Sequence, residues 1–309
     1  MLNVDSSGAV TVAEPHIAVL VAGLPHPVLN DSTLSGGIKL SNAHAYSGEG
    51  VMLSDGSLLA LLTDVTYVSS ACTPTKHHPC RFVLAIRSTN CGRSWNYLST
   101  VTDGGTEASV VQLADGRLLA VFRHNFQGAA YHSVRFKQAF SVDEGRNWGV
   151  ATEMQAATGS VPPHSVMPTL KALPGSGGYL LSGGRDGMYL WHCPTTACID
   201  AGQWVSTNIA AHHNSHAVDP FGKFPPGCVN ESGWQNIGIQ GCPSKSYLGL
   251  TVLAPEPATN DTAQFVVCYS HCGNVSSHGF CFTEIGRGQE VFCVRGSLAA
   301  HLHRTRELI

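Results

Sequence analysis

Two stretches of the chain share one uncommon form. Ser88-Thr-Asn90-Cys-Gly92-Arg-Ser-Trp95 and Ser141-Val-Asp143-Glu-Gly145-Arg-Asn-Trp148 both read Ser-x-Asp/Asn-x-Gly-x-x-Trp. The form describes a hairpin turn with a built-in lock. The Asp or Asn side chain bonds nearby backbone amides, the glycine takes a positive φ, and the tryptophan packs beneath the turn. Its recurrence means that the chain is assembled from copies of one β unit.

The repeat is wider than these turns. Asp55-Gly56, Asp115-Gly116 and Gly177-Gly178 stand between apolar runs, roughly 60 residues apart. Asp-Gly and Gly-Gly in that setting predict two-residue primed hairpin turns. Each hairpin is followed by a second. Phe82 to Ser88 enters the first Trp-bearing turn, and Phe136 to Ser141 enters the second. After the third hairpin, Asp200-Ala-Gly202-Gln-Trp204 is a degenerate copy, one residue short. Each unit therefore holds about four short strands. Four-stranded units at this period predict an all-β fold with almost no helix. The expectation is a β-propeller of four-stranded antiparallel blades, with room for five or six or with its N-terminus incomplete, forming a single domain over residues 1–309. A β-sandwich would not explain the repeat, and a right-handed β-helix would repeat faster. Trp95 and Trp148 are expected to be largely buried, away from any substrate rim.

Composition narrows the function. The charged fraction is only 13%, the net charge is −3, and the only basic run is the short tail His301 to Arg306. Nothing there suggests nucleic-acid binding. The longest apolar run, Ile17 to Leu24, is far too short to span a bilayer. Eleven cysteines and four Asn-x-Ser/Thr sites, at Asn30, Asn230, Asn260 and Asn274, point to an oxidising compartment. The expected location is the secretory pathway, extracellular or lysosome-like, although Met1 opens no visible signal peptide. Close spacing predicts local disulfides Cys72–Cys80 and Cys193–Cys198. Zinc is the rival use of these residues, at His77-His78-Pro-Cys80 or His212-His213-Asn-Ser-His216. Neither matches a common ligand spacing, so no metal and no cofactor is expected.

Strand ends of successive units converge on one rim of a blade array. Aligned on Gly116 and Gly178, Arg123 and Arg185 each stand seven residues beyond the turn glycine. Two arginines at one repeat position suit bidentate capture of a carboxylate. Separate surface ion pairs are the bland alternative. A two-residue turn at Asp115-Gly116 would put Ala108 opposite Arg123. Glu107 would then share the strand end but lie on the opposite face, unless a bulge turns it.

The Trp-bearing turns resemble the Asp boxes of sialidases (neuraminidases), a family of six-bladed propellers. The segment Thr106 to Arg123 resembles the one joining that family's catalytic Glu to one arginine of its carboxylate-binding triad. Gly183-Gly-Arg185 resembles the segment of another triad arginine, and Ser246-Tyr247-Leu-Gly-Leu250 resembles the motif around the tyrosine nucleophile. The resemblance spans about Tyr46 to Ser270. It implies a retaining exo-sialidase acting on sialylated or related acidic glycans. Tyr247 would be the nucleophile, Glu107 its base, and Arg123 and Arg185 the holders of the sugar carboxylate. A neutral tyrosine suits a sugar whose anomeric carbon bears a carboxylate that would repel a carboxylate nucleophile. The chain departs from the pattern at its start. It has no arginine before Arg81, and Asp64 is the only acidic residue between Asp64 and Arg81. A non-catalytic propeller that binds carbohydrate or protein is therefore the second expectation.

Overall fold

The computed structural model describes residues 2–4, 10–12, 21–22, 37–39, 50–68, 81–124, 135–164, 166–174, 178–184, 188–217, 222–224, 248–253, 262–272 and 289–299. Near the N-terminus, β1 (Leu2–Val4) and β2 (Val10–Val12) form a two-stranded sheet. The first blade-like sheet is built from β5 (Val51–Met52), β6 (Leu58–Val68), β7 (Arg81–Ser88) and β8 (Trp95–Asp103) in antiparallel succession. Two short strands extend it. β3 (Val21–Ala22) lies parallel to β8, and β4 (Gly37–Lys39) pairs with the far end of β6. The second sheet is β9 (Gly105–Gln112), β10 (Leu118–His124), β11 (Phe136–Ser141) and β12 (Thr152–Glu153). The third is β13 (Val166–Ala172), β14 (Tyr179–Gly184), β15 (Tyr189–Cys193) and β16 (Val205–Asn208). Helix α1 (Thr196–Asp200) precedes β16, and α2 (Ile209–His216) follows it. β17 (Gly249–Leu253), β18 (Thr262–Cys272) and β19 (Gln289–Ala299) make a three-stranded sheet.

The two helices are departures from an almost helix-free expectation. Each is nucleated by a capping side chain: Thr195 Oγ1 accepts from Cys198 N–H, and Asn208 Oδ1 accepts from Ala211 N–H. α2 absorbs the histidine-rich stretch. His212 and His216 stack at 4.3 Å on its outer side, while His213 is buried against Tyr269 and Phe224. The three imidazoles thus face different surroundings, which is not how a metal site is built. His77, His78 and Cys80 lie outside the described residues.

Apolar faces join each sheet to the next. Leu59, Leu61 and Val83 of the first sheet pack on Ala108, Val110 and Phe122 of the second. Leu119, Val121 and Phe136 of the second pack on Leu170, Leu181 and Trp191 of the third. Leu180, Leu190 and Ile209 then meet Leu250, Phe265 and Val267 of the last described sheet. Every sheet between two others is buried on both faces, which explains near-continuous apolar strands such as β10. The first strands β5, β9, β13 and β17 surround a cavity of about 370 Å³, lined in part by Val51, Gln112, Lys171 and Val252. The described architecture is all-β, with four-stranded antiparallel sheets set side by side around a common axis.

The Trp-bearing turns form as their sequence predicts. Ser141 Oγ accepts from Gly145 N–H at 2.8 Å, and Asp143 Oδ1 accepts from Asn147 N–H at 2.8 Å. Ser88 and Asn90 repeat the pattern toward Gly92 and Ser94. The residue before each glycine is also left-handed: Cys91 has φ 58° and Gly92 82°, Glu144 60° and Gly145 84°. These are type I′ turns. The bonds from Asn147 hold the Asp143 carboxyl below the usual carboxylate range. The tryptophans depart from expectation. Trp95 and Trp148 are only half-buried: the Trp95 indole N–H donates to Gly92 O of its own turn, and that of Trp148 to Ser99 Oγ of β8 in the first sheet. Trp204 of the degenerate copy is fully buried instead.

A recurring clamp ties the first sheet to the second, and the second to the third, at this end. Arg87 bridges Asp55 and the Glu144 turn of the second sheet, while Arg117 bridges Asp115 and Asp200 of the third. The Cys193–Cys198 disulfide is present, and a second joins Cys268 to Cys293 across β18 and β19. Cys72–Cys80 lies outside the described residues. Among the described residues, no helix is long and apolar enough to cross a membrane.

Candidate active site

The hairpin β9–β10 decides where Glu107 and Arg123 stand. Its loop is not the two-residue primed turn expected from Asp115-Gly116. Leu113 N–H bonds Arg117 O, Gly116 N–H bonds Leu113 O, and Gly116 has φ 89°. This is a three-residue loop, a type I turn followed by a left-handed glycine. Leu53 to Ser57 makes the same loop in the first sheet. The extra residue moves the register by one. Ala108 pairs with Phe122, not with Arg123. Continued in that register, Glu107 would face Arg123 directly, on one side of the sheet. A bulge then removes Glu107 from the ladder, so that Arg123 pairs with Thr106. Glu107 takes φ 49°, and its side chain turns onto Arg123.

The resulting pair is buried, with Glu107 at 7% and Arg123 at 5% exposure. Arg123 Nη1 lies 3.3 Å from both carboxylate oxygens. Met167 N–H, from the next sheet, donates to Glu107 Oε2 at 2.9 Å. Met167 sits in the corresponding bulge of β13, where Val166 pairs with Gly184 and Thr169 with Ser182, and it has φ 51°. Pro168 occupies that bulge and can donate no ladder bond. Sequence reasoning missed Met167. The proline inside an apolar run was the available signal.

The equivalence of the two arginines needs correction. Leu173 N–H bonds Gly178 O, so Gly178 closes the third hairpin as Arg117 closes the second. Counted from those closing pairs, the partner of Arg123 in the repeat is Gly184, and Arg185 comes one residue later. Arg185 and Tyr247 both lie outside the described residues, as does the Asp64 side chain.

The rim also holds a titratable group. His124 follows Arg123, is half-buried, and abuts Gly104, whose added Cβ would lie 3.0 Å from Nε2. Burial, and secondarily Lys137, holds this imidazole below its ordinary range, against Asp103 and Glu153. The Trp-bearing turns lie at the other end of the strands. From Leu118 to Arg123 that is roughly 17 Å of extended chain.

No family model matches the chain, and no curated protein matches it. Solved structures do. A Hadza microbial sialidase is 18% identical, with a TM-score of 0.42, and the match covers 70% of this chain and 34% of that one. An α-L-arabinanase of Penicillium chrysogenum, complexed with arabinobiose, is 16% identical at a TM-score of 0.43, covering 80% and 61%. A xylan β-1,4-xylosidase from Bacillus halodurans is 10% identical at 0.41, covering 78% and 39%. The chain spans between a third and about three fifths of the length of these proteins.

Proposed function

We propose that the chain is a retaining exo-sialidase, a glycoside hydrolase acting on terminal sialic or related nonulosonic acids of glycoconjugates. In this reading residues 1–309 form one six-bladed propeller in the secretory pathway. Tyr247 attacks the anomeric carbon as the glycosidic bond breaks and the aglycone leaves as its alcohol, and Glu107 takes the phenol proton. Water then displaces Tyr247 from the glycosyl-enzyme, and Arg123 and Arg185 hold the sugar carboxylate throughout. The observation that supports it best is the Glu107–Arg123 pair. The two groups that this reading takes as base and carboxylate binder stand side by side at one strand end, Glu107 turned there by a strained bulge. Strained residues of this kind cluster at functional sites.

A second reading has its own support. Glu107 accepts from both Arg123 and Met167 and is nearly enclosed. A carboxylate held this way also suits a purely architectural link between blades, in a propeller that binds glycan or protein without turnover. Release of 4-methylumbelliferone from its sialic acid glycoside separates the two. The enzyme reading expects turnover that Tyr247→Phe abolishes and Arg185→Ala weakens through KM. No release at any pH between 4 and 8, from protein that still binds sialic acid, would favour the binding propeller.

A further inference from the structure

Glu107 and Met167 are both left-handed, and they occupy the same place in successive blades. Each stands five residues before the last paired residue of its strand, Gln112 opposite Leu118 and Ala172 opposite Tyr179. For a residue with a Cβ, left-handed backbone is disfavoured by about tenfold or more. Glycine or asparagine would relieve it. For Glu107 the conformation delivers the carboxylate to Arg123. A thioether offers no strong hydrogen-bonding group, so for Met167 the delivered group is the backbone N–H, 2.9 Å from Glu107 Oε2. Pro168 carries no N–H, which loosens the ladder beside Met167 and lets the amide turn out of the strand.

We propose that Met167 is a positioning residue for Glu107. Arg123 Nη1 reaches both oxygens equally, so the backbone amide of Met167, as a second donor on Oε2, is what distinguishes them and leaves Oε1 the less engaged oxygen presented to a reacting proton. This rests on the reading of Glu107 as the base. The two oxygens of a carboxylate are equivalent until one is engaged. A donor on Oε2 from a neighbouring blade sets the rotation of the carboxylate plane. The side chain of Met167 is incidental to this role, and its backbone conformation is what matters.

The test opposes backbone to side chain. Met167→Asn changes the chemistry of the side chain but tolerates left-handed backbone. Met167→Ile keeps an apolar side chain but resists that backbone strongly. Amide hydrogen exchange at residue 167 is measured in both, in Glu107→Ala and in the wild type, together with kcat and KM on the umbelliferyl sialoside. Protection should fall at least about tenfold in Met167→Ile and Glu107→Ala, and by no more than about twofold in Met167→Asn. The drop in kcat should be larger for Met167→Ile than for Met167→Asn, with KM little changed. The reverse order, with isoleucine protected and asparagine not, would overturn the proposal in favour of side-chain packing. Undiminished protection in Glu107→Ala would overturn it as well, even if Met167→Ile fails to fold. An inactive wild type showing the expected protections would defeat the glycosidase reading and leave the amide–carboxylate link standing.

Discussion

Removing one member of the Glu107–Arg123 pair should cost far more than removing both. At 3.3 Å and an effective dielectric constant of about 20, the direct attraction is ~5 kcal/mol. Desolvation of two ions that are each more than nine-tenths buried cancels most of it. The net worth of the pair is therefore small, but a lone survivor keeps its desolvation cost. Arg123→Met leaves the carboxylate, among the described residues, with the Met167 N–H alone, at about 3–5 kcal/mol. Glu107→Leu takes the paired carboxylate from the buried guanidinium at a similar cost and also orphans the Met167 N–H. The double variant Glu107→Leu/Arg123→Met removes both charges and leaves that amide orphaned, worth about 1–3 kcal/mol. Urea denaturation of the four proteins measures the cycle. The sum of the two single costs should exceed the double by at least about 3 kcal/mol. Additivity to within about 0.5 kcal/mol would refute the buried pairing and the bulge geometry that produces it.

Three further outcomes follow from the described residues. Gly145→Ala should destabilise by about 2–5 kcal/mol and Gly116→Ala by only about 1–2 kcal/mol in thermal melts. Both glycines are left-handed, but the new Cβ at Gly145 would lie 2.6 Å from Leu59 Cδ1, whereas nothing lies within 4 Å at Gly116. Replacing the Cys268–Cys293 pair by alanines should cost about 3.5 kcal/mol, against about 2 kcal/mol for Cys193–Cys198. The reason is sequence separation, 25 residues against 5. Peptide mapping without reduction checks the pairings first. Burial holds the half-buried His192 imidazole below 6.5. Its stabilising effect is complete above that value and lost as pH falls below it. The melting temperature should therefore decline between pH 7 and 5, with a shallower decline in His192→Gln.

Local chemistry made much of the fold legible. Ser141, Asp143 and Gly145 specify their turn from within eight residues, because the bonds that lock it are contained in it. The apolar runs after Gly56 and Gly116 became β6 and β10 for the same reason: their length, their alternatives and their turn residues are all local. The Cys193–Cys198 pairing was readable too, since five residues leave little else within reach. The helices were less so. α2 is fixed by a single cap at Asn208 and by burying Ile209 and His213 against a distant sheet, which no local pattern announces.

At the candidate site the sequence determined the residue types, and tertiary structure decided their geometry. The spacing from Glu107 to Arg123 guarantees that both stand at one end of a hairpin. Whether they share a face turns on one residue of loop length, because side chains alternate with period two. The same Asp-Gly dipeptide serves loops of two or three residues, so the sequence leaves that parity open. The hydrogen bonds from Leu113 and Gly116 close it. Pro168 signals an irregularity in its strand, but that the Met167 amide bonds Glu107 could not have been found from sequence. That amide comes from a strand some 60 residues away in a neighbouring sheet, and every residue but proline has such an N–H. What makes this one a partner of Glu107 is the coincidence of two bulges at one level of two packed blades. That is a property of how the sheets stack, not of either strand alone.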